Sequence, residues 1–180
     1  MVQPLNVLCR CSWFKGYFSW VNNAPCEHCG STNTTNAGGD RANAAEKAYG
    51  AGVVELYKCS ECSKMTRFPR FNHPGKLMDT RRGRCGEWAN AFTLCCIAMG
   101  FEARHTVDWT DHVWTEVFSE DQQRWVHCDP CENAWVRRAH VVCCRAPLSC
   151  AVCCNHGAAL AASGSVAPEC LQRMFVCLLP

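Results

Sequence analysis

The chain has 180 residues, enough for one hydrophobic core with a small annex. A formal net charge of +2 and a pI near 7.8 exclude the strong basic bias of a nucleic-acid or anionic-membrane binder. The 18 cysteines would suit a disulfide scaffold in a secreted protein, but Met1–Phe14 lacks a basic segment followed by an apolar run. The Cys-x-x-Cys pairs Cys26/Cys29 and Cys59/Cys62 have metal spacing, and no apolar run is long enough to span a bilayer. A soluble cytoplasmic protein is expected, with the nucleus as a second compartment.

In chain order, aromatics at 13, 14, 17, 18 and 20 follow near-helical spacing and predict a helix that packs an aromatic stripe on the core. The first cysteine pair, Cys26-Glu27-His28-Cys29, precedes a Gly/Asn/Thr/Ala-rich stretch at 30–52 that reads as a mobile loop. Val53–Lys58 reads as a strand, Cys59-Ser60-Glu61-Cys62 is the second pair, and Phe68–Phe71 is extended. Cys85–Met99 reads as a helix with Gly100 as its C-cap, followed by strands near 101–107, 112–118 and 123–128. From Ala139 to Pro180 there are only three charged residues but seven cysteines, and no periodicity persists, so that tail is expected to be disordered.

A Cys-x-x-Cys turn presents two thiolates to one tetrahedral ion, and two such turns close a structural zinc site. Cys26, Cys29, Cys59 and Cys62 are therefore the candidate Zn2+ ligands, holding together a small region expected to be poor in sheet. Four thiolates leave no open coordination position, so catalytic zinc is disfavoured. A redox reading needs only one of the two pairs.

The segment Arg82-Gly83-Arg84-Cys85-Gly86-Glu87-Trp88 sets Cys85 at the start of its helix, where the backbone dipole favours a thiolate. Arg81, Arg82 and Arg84 are expected to add positive field there. Downstream lie His112 and Asp129, the base and the orienting carboxylate that a cysteine nucleophile needs. Alternation puts His112, Trp114 and Glu116 on one strand face and Val113 and Val117 on the other, toward the core. A hairpin pairing Phe118 with Gln123 across the loop 119–122 would set His112 directly opposite Asp129. Cys95 and Cys96, in the same helix as Cys85, read as ordinary buried thiols.

These motifs resemble the transglutaminase-like core of the cytosolic peptide:N-glycanases. The likeness is carried by Trp13-Phe14-Lys15, the two cysteine pairs, Arg67-Phe68-Pro69-Arg70-Phe71-Asn72, Gly83-Arg84-Cys85-Gly86-Glu87-Trp88-Ala89-Asn90, Thr110-Asp111-His112-Val113-Trp114-Thr115-Glu116 and Asp129-Pro130-Cys131-Glu132. It implies an α+β fold, a transglutaminase-like (papain-like cysteine hydrolase) core with an antiparallel sheet over 8–136, and a four-cysteine zinc insertion at 24–64. Cys85, His112 and Asp129 would be catalytic, and Trp114 and Glu132 would border the site for the innermost sugars. The implied reaction is cleavage of the glycosylamine bond between N-glycan and asparagine on misfolded glycoproteins through a thioester. Implied partners are misfolded N-glycosylated proteins, proteasome-shuttle proteins and an AAA ATPase. A glycan-binding module without catalysis and a transglutaminase-type acyltransferase are the alternatives. Beyond Glu132 the chain departs from the family pattern, with Trp135-Val136-Arg137-Arg138 leading into the cysteine-rich tail.

Overall fold

A computed structural model describes residues 4–108, 111–132 and 134–135. Helix α1 (Pro4–Tyr17) leads into β1 (Ser19–Trp20), β2 (Thr34–Asp40), α2 (Ala44–Ala48), β3 (Val54–Cys59) and β4 (Met65–Pro69). Then come α3 (Pro74–Thr80), β5 (Arg82–Gly83), α4 (Cys85–Ala98), β6 (Ala103–Asp108), β7 (His112–Ser119), β8 (Arg124–Asp129) and β9 (Ala134–Trp135). Strands β2-β3-β4 form one antiparallel sheet and β6-β7-β8-β9 another, while β1 and β5 make a short parallel pair. The α+β expectation and the antiparallel sheet hold. Among the described residues no helix is long and apolar enough to cross a membrane. The expectation of a disordered tail over 139–180 falls outside the described residues.

Helix α4 is the centre of the core because its apolar residues are nearly continuous, so it must be covered on several sides. Phe92 is fully buried; Phe14 of α1 meets it edge-on at 5.3 Å and stacks on Phe18 at 5.2 Å. Leu77 and Met78 of α3 and Val117, Val126 and Cys128 of the second sheet complete that core. The helix stops where Gly100 takes φ +83°, with Gly100 N–H donating to Ile97 and Phe101 N–H to Cys96. Those two bonds are a Schellman closure, as the glycine predicts. The aromatic stripe of α1 is also where the periodicity put it, but the helix ends at Tyr17. Ser19 and Trp20 instead pair in parallel with Arg82 and Gly83.

The stretch 30–52 is not a simple loop. It contributes β2, bulged between Asn36 and Gly39, and α2, whose start is a reciprocal capping box. Asn43 Oδ1 accepts the Glu46 N–H while Glu46 Oε2 accepts the Asn43 N–H. Arg67 of β4 then spans Glu46 and Asp40 and ties the segment down. The cysteine-rich region is accordingly a three-stranded sheet, richer in strand than its glycines suggest.

Candidate active site and four-cysteine cluster

Cys85 is the first residue of α4 and is partly buried. The helix start is built by main chain and by Glu87, whose Oε2 accepts the Arg84 N–H at 3.0 Å. Gly83 is required for this closeness: a Cβ there would stand 2.3 Å from the Cβ of Glu87. The expected positive field from three arginines is offset by carboxylates at two of them. Arg81 lies over the Tyr17 ring at 4.3 Å, Arg82 meets Glu27 at 3.3 Å, and Arg84 grips both oxygens of Glu55 at 2.9 and 2.6 Å.

The imidazole and the carboxylate come from the β7–β8 hairpin. His112 Nε2 and Asp129 Oδ2 are 2.8 Å apart. The hairpin register differs from the expected one by two residues: Phe118 pairs with Trp125 and Ser119 with Arg124. Gln123, with φ +49°, belongs to the turn rather than the strand. Extending that ladder sets Asp129 across from Trp114, so His112 reaches it on the diagonal. A shift of two keeps every side chain on its face, which is why the contact survives the wrong register. As expected, Val117 faces the core; Thr115 is buried on the same face, Val113 only half-buried, and the His112 side chain is 43% exposed.

Asp129 is 2% exposed, and its other oxygen accepts the N–H groups of Cys131 at 2.9 Å and Glu132 at 3.4 Å. Both oxygens are therefore satisfied, which an ionised buried carboxylate requires. With Nε2 on the carboxylate, Nδ1 is the imidazole nitrogen left for a thiol. Trp114 lies against the His112 ring at 5.8 Å and 28°, and His127 lies against Trp114 at 5.1 Å. Burial lowers the pKa of His127, favouring its neutral form. His127 drew no role from sequence, because its place in this stack depends on the strand register.

A cleft of about 480 Å³ opens beside this centre, lined by Lys15, Ser19, Trp20, Trp88, Cys131 and Glu132 among others. Glu132 thus lies on the cleft, whereas Trp114 packs on His112. Lys15 donates to the Cys131 carbonyl and anchors the turn that holds Asp129. Burial pushes the Cys131 thiol well up, helped by the neighbouring charges of Asp129 and Cys85. The turn, the carboxylate and the Cys85 thiol therefore share one electrostatic neighbourhood.

The sulfurs of Cys26, Cys29, Cys59 and Cys62 all lie within 4.8 Å of one another. Cys26–Cys62 and Cys29–Cys59 are 3.5 Å apart, too far for a disulfide at about 2.05 Å. The spacing is close to the ~3.8 Å edge of a tetrahedron with metal–sulfur bonds of about 2.3 Å. The two turns are built alike. Gly30 and Ser63, with φ +74° and +57°, return their N–H groups to the carbonyls of Cys26 and Cys59. The Cys29 N–H holds the Cys26 thiol down at about 6, and the Cys62 N–H lowers that of Cys59. Cys29 receives the Ser31 N–H, which favours its thiolate, but the surrounding thiols outweigh this and push it up to about 12. One cation would relieve that mutual repulsion, and the four residues fit a metal ion.

The helix that Cys85 opens packs against the sheet whose hairpin carries the His112–Asp129 pair. Residues 31–130 match the family model of the Transglutaminase-like superfamily, and the chain belongs to that superfamily. Over 123 residues it is 55% identical to the peptide-N(4)-(N-acetyl-beta-glucosaminyl)asparagine amidase of Gallus gallus, a match covering 68% of this chain and 19% of that protein. The amidase of the same name from Oryza sativa subsp. japonica is 54% identical over 123 residues, covering 68% and 27%. That of Yarrowia lipolytica is 47% identical over 125 residues, covering 68% and 35%. The matched region thus spans about a fifth to a third of the length of these curated relatives.

Proposed function

We propose that this chain is the catalytic core of a peptide:N-glycanase, an amidohydrolase that releases N-glycans from asparagine. The observation that carries the reading is the 2.8 Å bond between His112 Nε2 and buried Asp129, on a hairpin packed against the helix that Cys85 opens. Its support from outside the chain is the amidase name borne by relatives of about half-identical sequence.

In this mechanism Nδ1 of His112 takes the Cys85 proton. The sulfur attacks the side-chain carboxamide carbon of the glycosylated asparagine. N–H groups at the start of α4 hold the oxyanion, a role worth about 3–4 kcal/mol in comparable sites. The imidazolium protonates the departing glycosylamine nitrogen as the C–N bond breaks and a thioester remains. Water, deprotonated by His112, then hydrolyses the thioester and leaves aspartate. Asp129 holds the imidazole in its tautomer and balances the imidazolium. The cleft carrying Glu132 receives the inner sugars, with Trp114 bordering the site through its contact with His112.

Cys26, Cys29, Cys59 and Cys62 hold a structural Zn2+, which supplies folding energy and takes no part in the chemistry. The substrates are misfolded N-glycosylated proteins of the cytoplasm, and proteasome-shuttle proteins and an AAA ATPase are the proposed partners. The experiment is release of N-glycan from a denatured glycopeptide, with labelling of Cys85 by a haloacetamidyl-chitobiose probe alongside. Glycan release by the wild type and none by Cys85→Ala is the expected result. Full activity in Cys85→Ala would overturn the assignment.

A further inference from the structure

Four charged side chains outside the reaction lie between the four-cysteine sheet and the helix of the nucleophile. Glu55 projects from β3, in the strand that ends at Cys59, and Arg84 immediately precedes Cys85. Arg84 grips both oxygens of Glu55, and its Nε donates to the Val21 carbonyl at 2.9 Å. Arg70, following β4, donates to Glu55 Oε1 at 3.0 Å and takes both oxygens of Glu87. Glu87 closes the circuit by accepting the Arg84 backbone N–H. The Tyr57 hydroxyl donates to Glu55 Oε2 at 2.6 Å and accepts from Arg84 at 2.9 Å.

Two guanidiniums against two carboxylates make this ring electrically neutral. Such a ring is a poor source of field at a neighbouring thiol, but its bidentate forks fix geometry. Side-chain exposures of 15% for Glu55 and 6% for Glu87 shield it from water and salt. The Glu87 side chain packs directly on Gly83, where an added Cβ would meet it at 2.3 Å. Two side-chain routes lead from this sheet into the start of α4: Glu55 to Arg84, one residue before Cys85, and Arg70 to Glu87, two residues after it.

We propose that Arg84 is a positioning residue: its fork on Glu55 sets where the Cys85 sulfur stands relative to the His112–Asp129 pair. This rests on Cys85 being the nucleophile. Arg84 acts through placement and not as a positive charge beside the thiol. Among the described residues, the site's other titratable groups include His112 and Asp129 on the hairpin, Cys131 and Glu132 on the following turn, and Glu87 on α4.

The test is peptide-resolved alkylation of Cys85 by iodoacetamide across pH in the full chain, which needs no glycan, together with kcat and KM for glycan release. Circular dichroism and metal retention at the four cysteines report folding. Glu55→Gln and Arg84→Lys are both expected to raise the pH midpoint of alkylation above that of the wild type, with about tenfold slower labelling at neutral pH. In both, kcat falls about 100-fold with KM within about twofold. A field role makes the opposite forecast. Glu55→Gln would then lower the midpoint by removing the offsetting charge, Arg84→Lys would match the wild type, and either result overturns the proposal. Midpoints unmoved in folded variants overturn it as well. Should Glu55→Gln fail to fold, Tyr57→Phe removes a single hydroxyl from the ring and must move the midpoint the same way by less. An unmoved Tyr57→Phe then counts against it. A wild type that labels as described but frees no glycan removes the glycanase reading and leaves the positioning role standing.

Discussion

In the β2-β3-β4 sheet the strand Thr34–Asp40 is exposed along six of its seven residues, whereas β7 buries Thr115 and Val117 beneath α4. The first sheet buries two small apolar clusters, around Tyr57 and around Val54, and is held besides at points: four converging sulfurs at one end, Arg67 on Glu46 and Asp40 at the other. The second is held by area, with Val117, Val126 and Cys128 packed against a helix that is buried along much of its length. The first sheet tolerates a polar, glycine-bearing edge strand such as Thr-Thr-Asn-Ala-Gly-Gly-Asp, because its buried apolar side chains, Val54, Tyr57 and Phe68, lie on β3 and β4. An area-held sheet needs alternation, and so leaves a legible pattern in its sequence.

The largest effect expected from this contrast is at Cys59. Structural zinc sites are worth about 10–16 kcal/mol, as much as the whole net stability of a domain. Cys59→Ser should release the metal and unfold the β2-β3-β4 sheet. Metal content and amide exchange would show it, and protected β3 amides without metal would break the distinction. Next, Asp129→Asn should leave the fold intact and slow glycan release by about 10⁴-fold through the wrong imidazole tautomer. Rates from a denatured glycopeptide read this directly. Third, Phe92→Ala should cost about 3–5 kcal/mol in denaturant unfolding, since the cavity opens in the area-held core. Metal retention should be unchanged.

The smallest effect is a pH dependence. Burial alone would raise the Glu55 carboxyl, but Arg84, the Tyr57 hydroxyl and Arg70 outweigh it and hold it at about 2, against an ordinary 4.5. A depressed carboxyl binds fewer protons folded than unfolded, so its contribution is complete above about pH 4.5. It fades as pH falls toward 2. Thermal melts through that window should show a slope in the wild type that Glu55→Gln reduces.

The helix Cys85–Ala98 and its glycine stop were legible because a continuous apolar run and a C′ glycine are local signals. So was the face shared by His112 and Asp129, which depends only on strand parity. The hairpin register was not, because Gln123 takes a left-handed conformation that its side chain does not announce. The capping box Asn43-Ala44-Ala45-Glu46 was present in the sequence but hidden in a stretch dominated by glycine, asparagine and alanine. Helix α3 carried a comparable signal, Pro74 at its first turn, with the less usual His73 as N-cap. The partners of Arg70, Arg84 and Glu55 had no local signature at all, since they are brought together from three separate elements.

The two-rung pairing of β1 with β5 reaches further than its length. Trp20, a wall of the cleft, is registered against Gly83, two residues before Cys85, and Val21 N–H is bonded to the Gly83 carbonyl. Main chain therefore sets the span between indole and thiol like a ruler. On the proposed glycanase reading, reshaping residue 20 should alter which sugar the cleft takes, while its place in the main chain beside Gly83 stays the same.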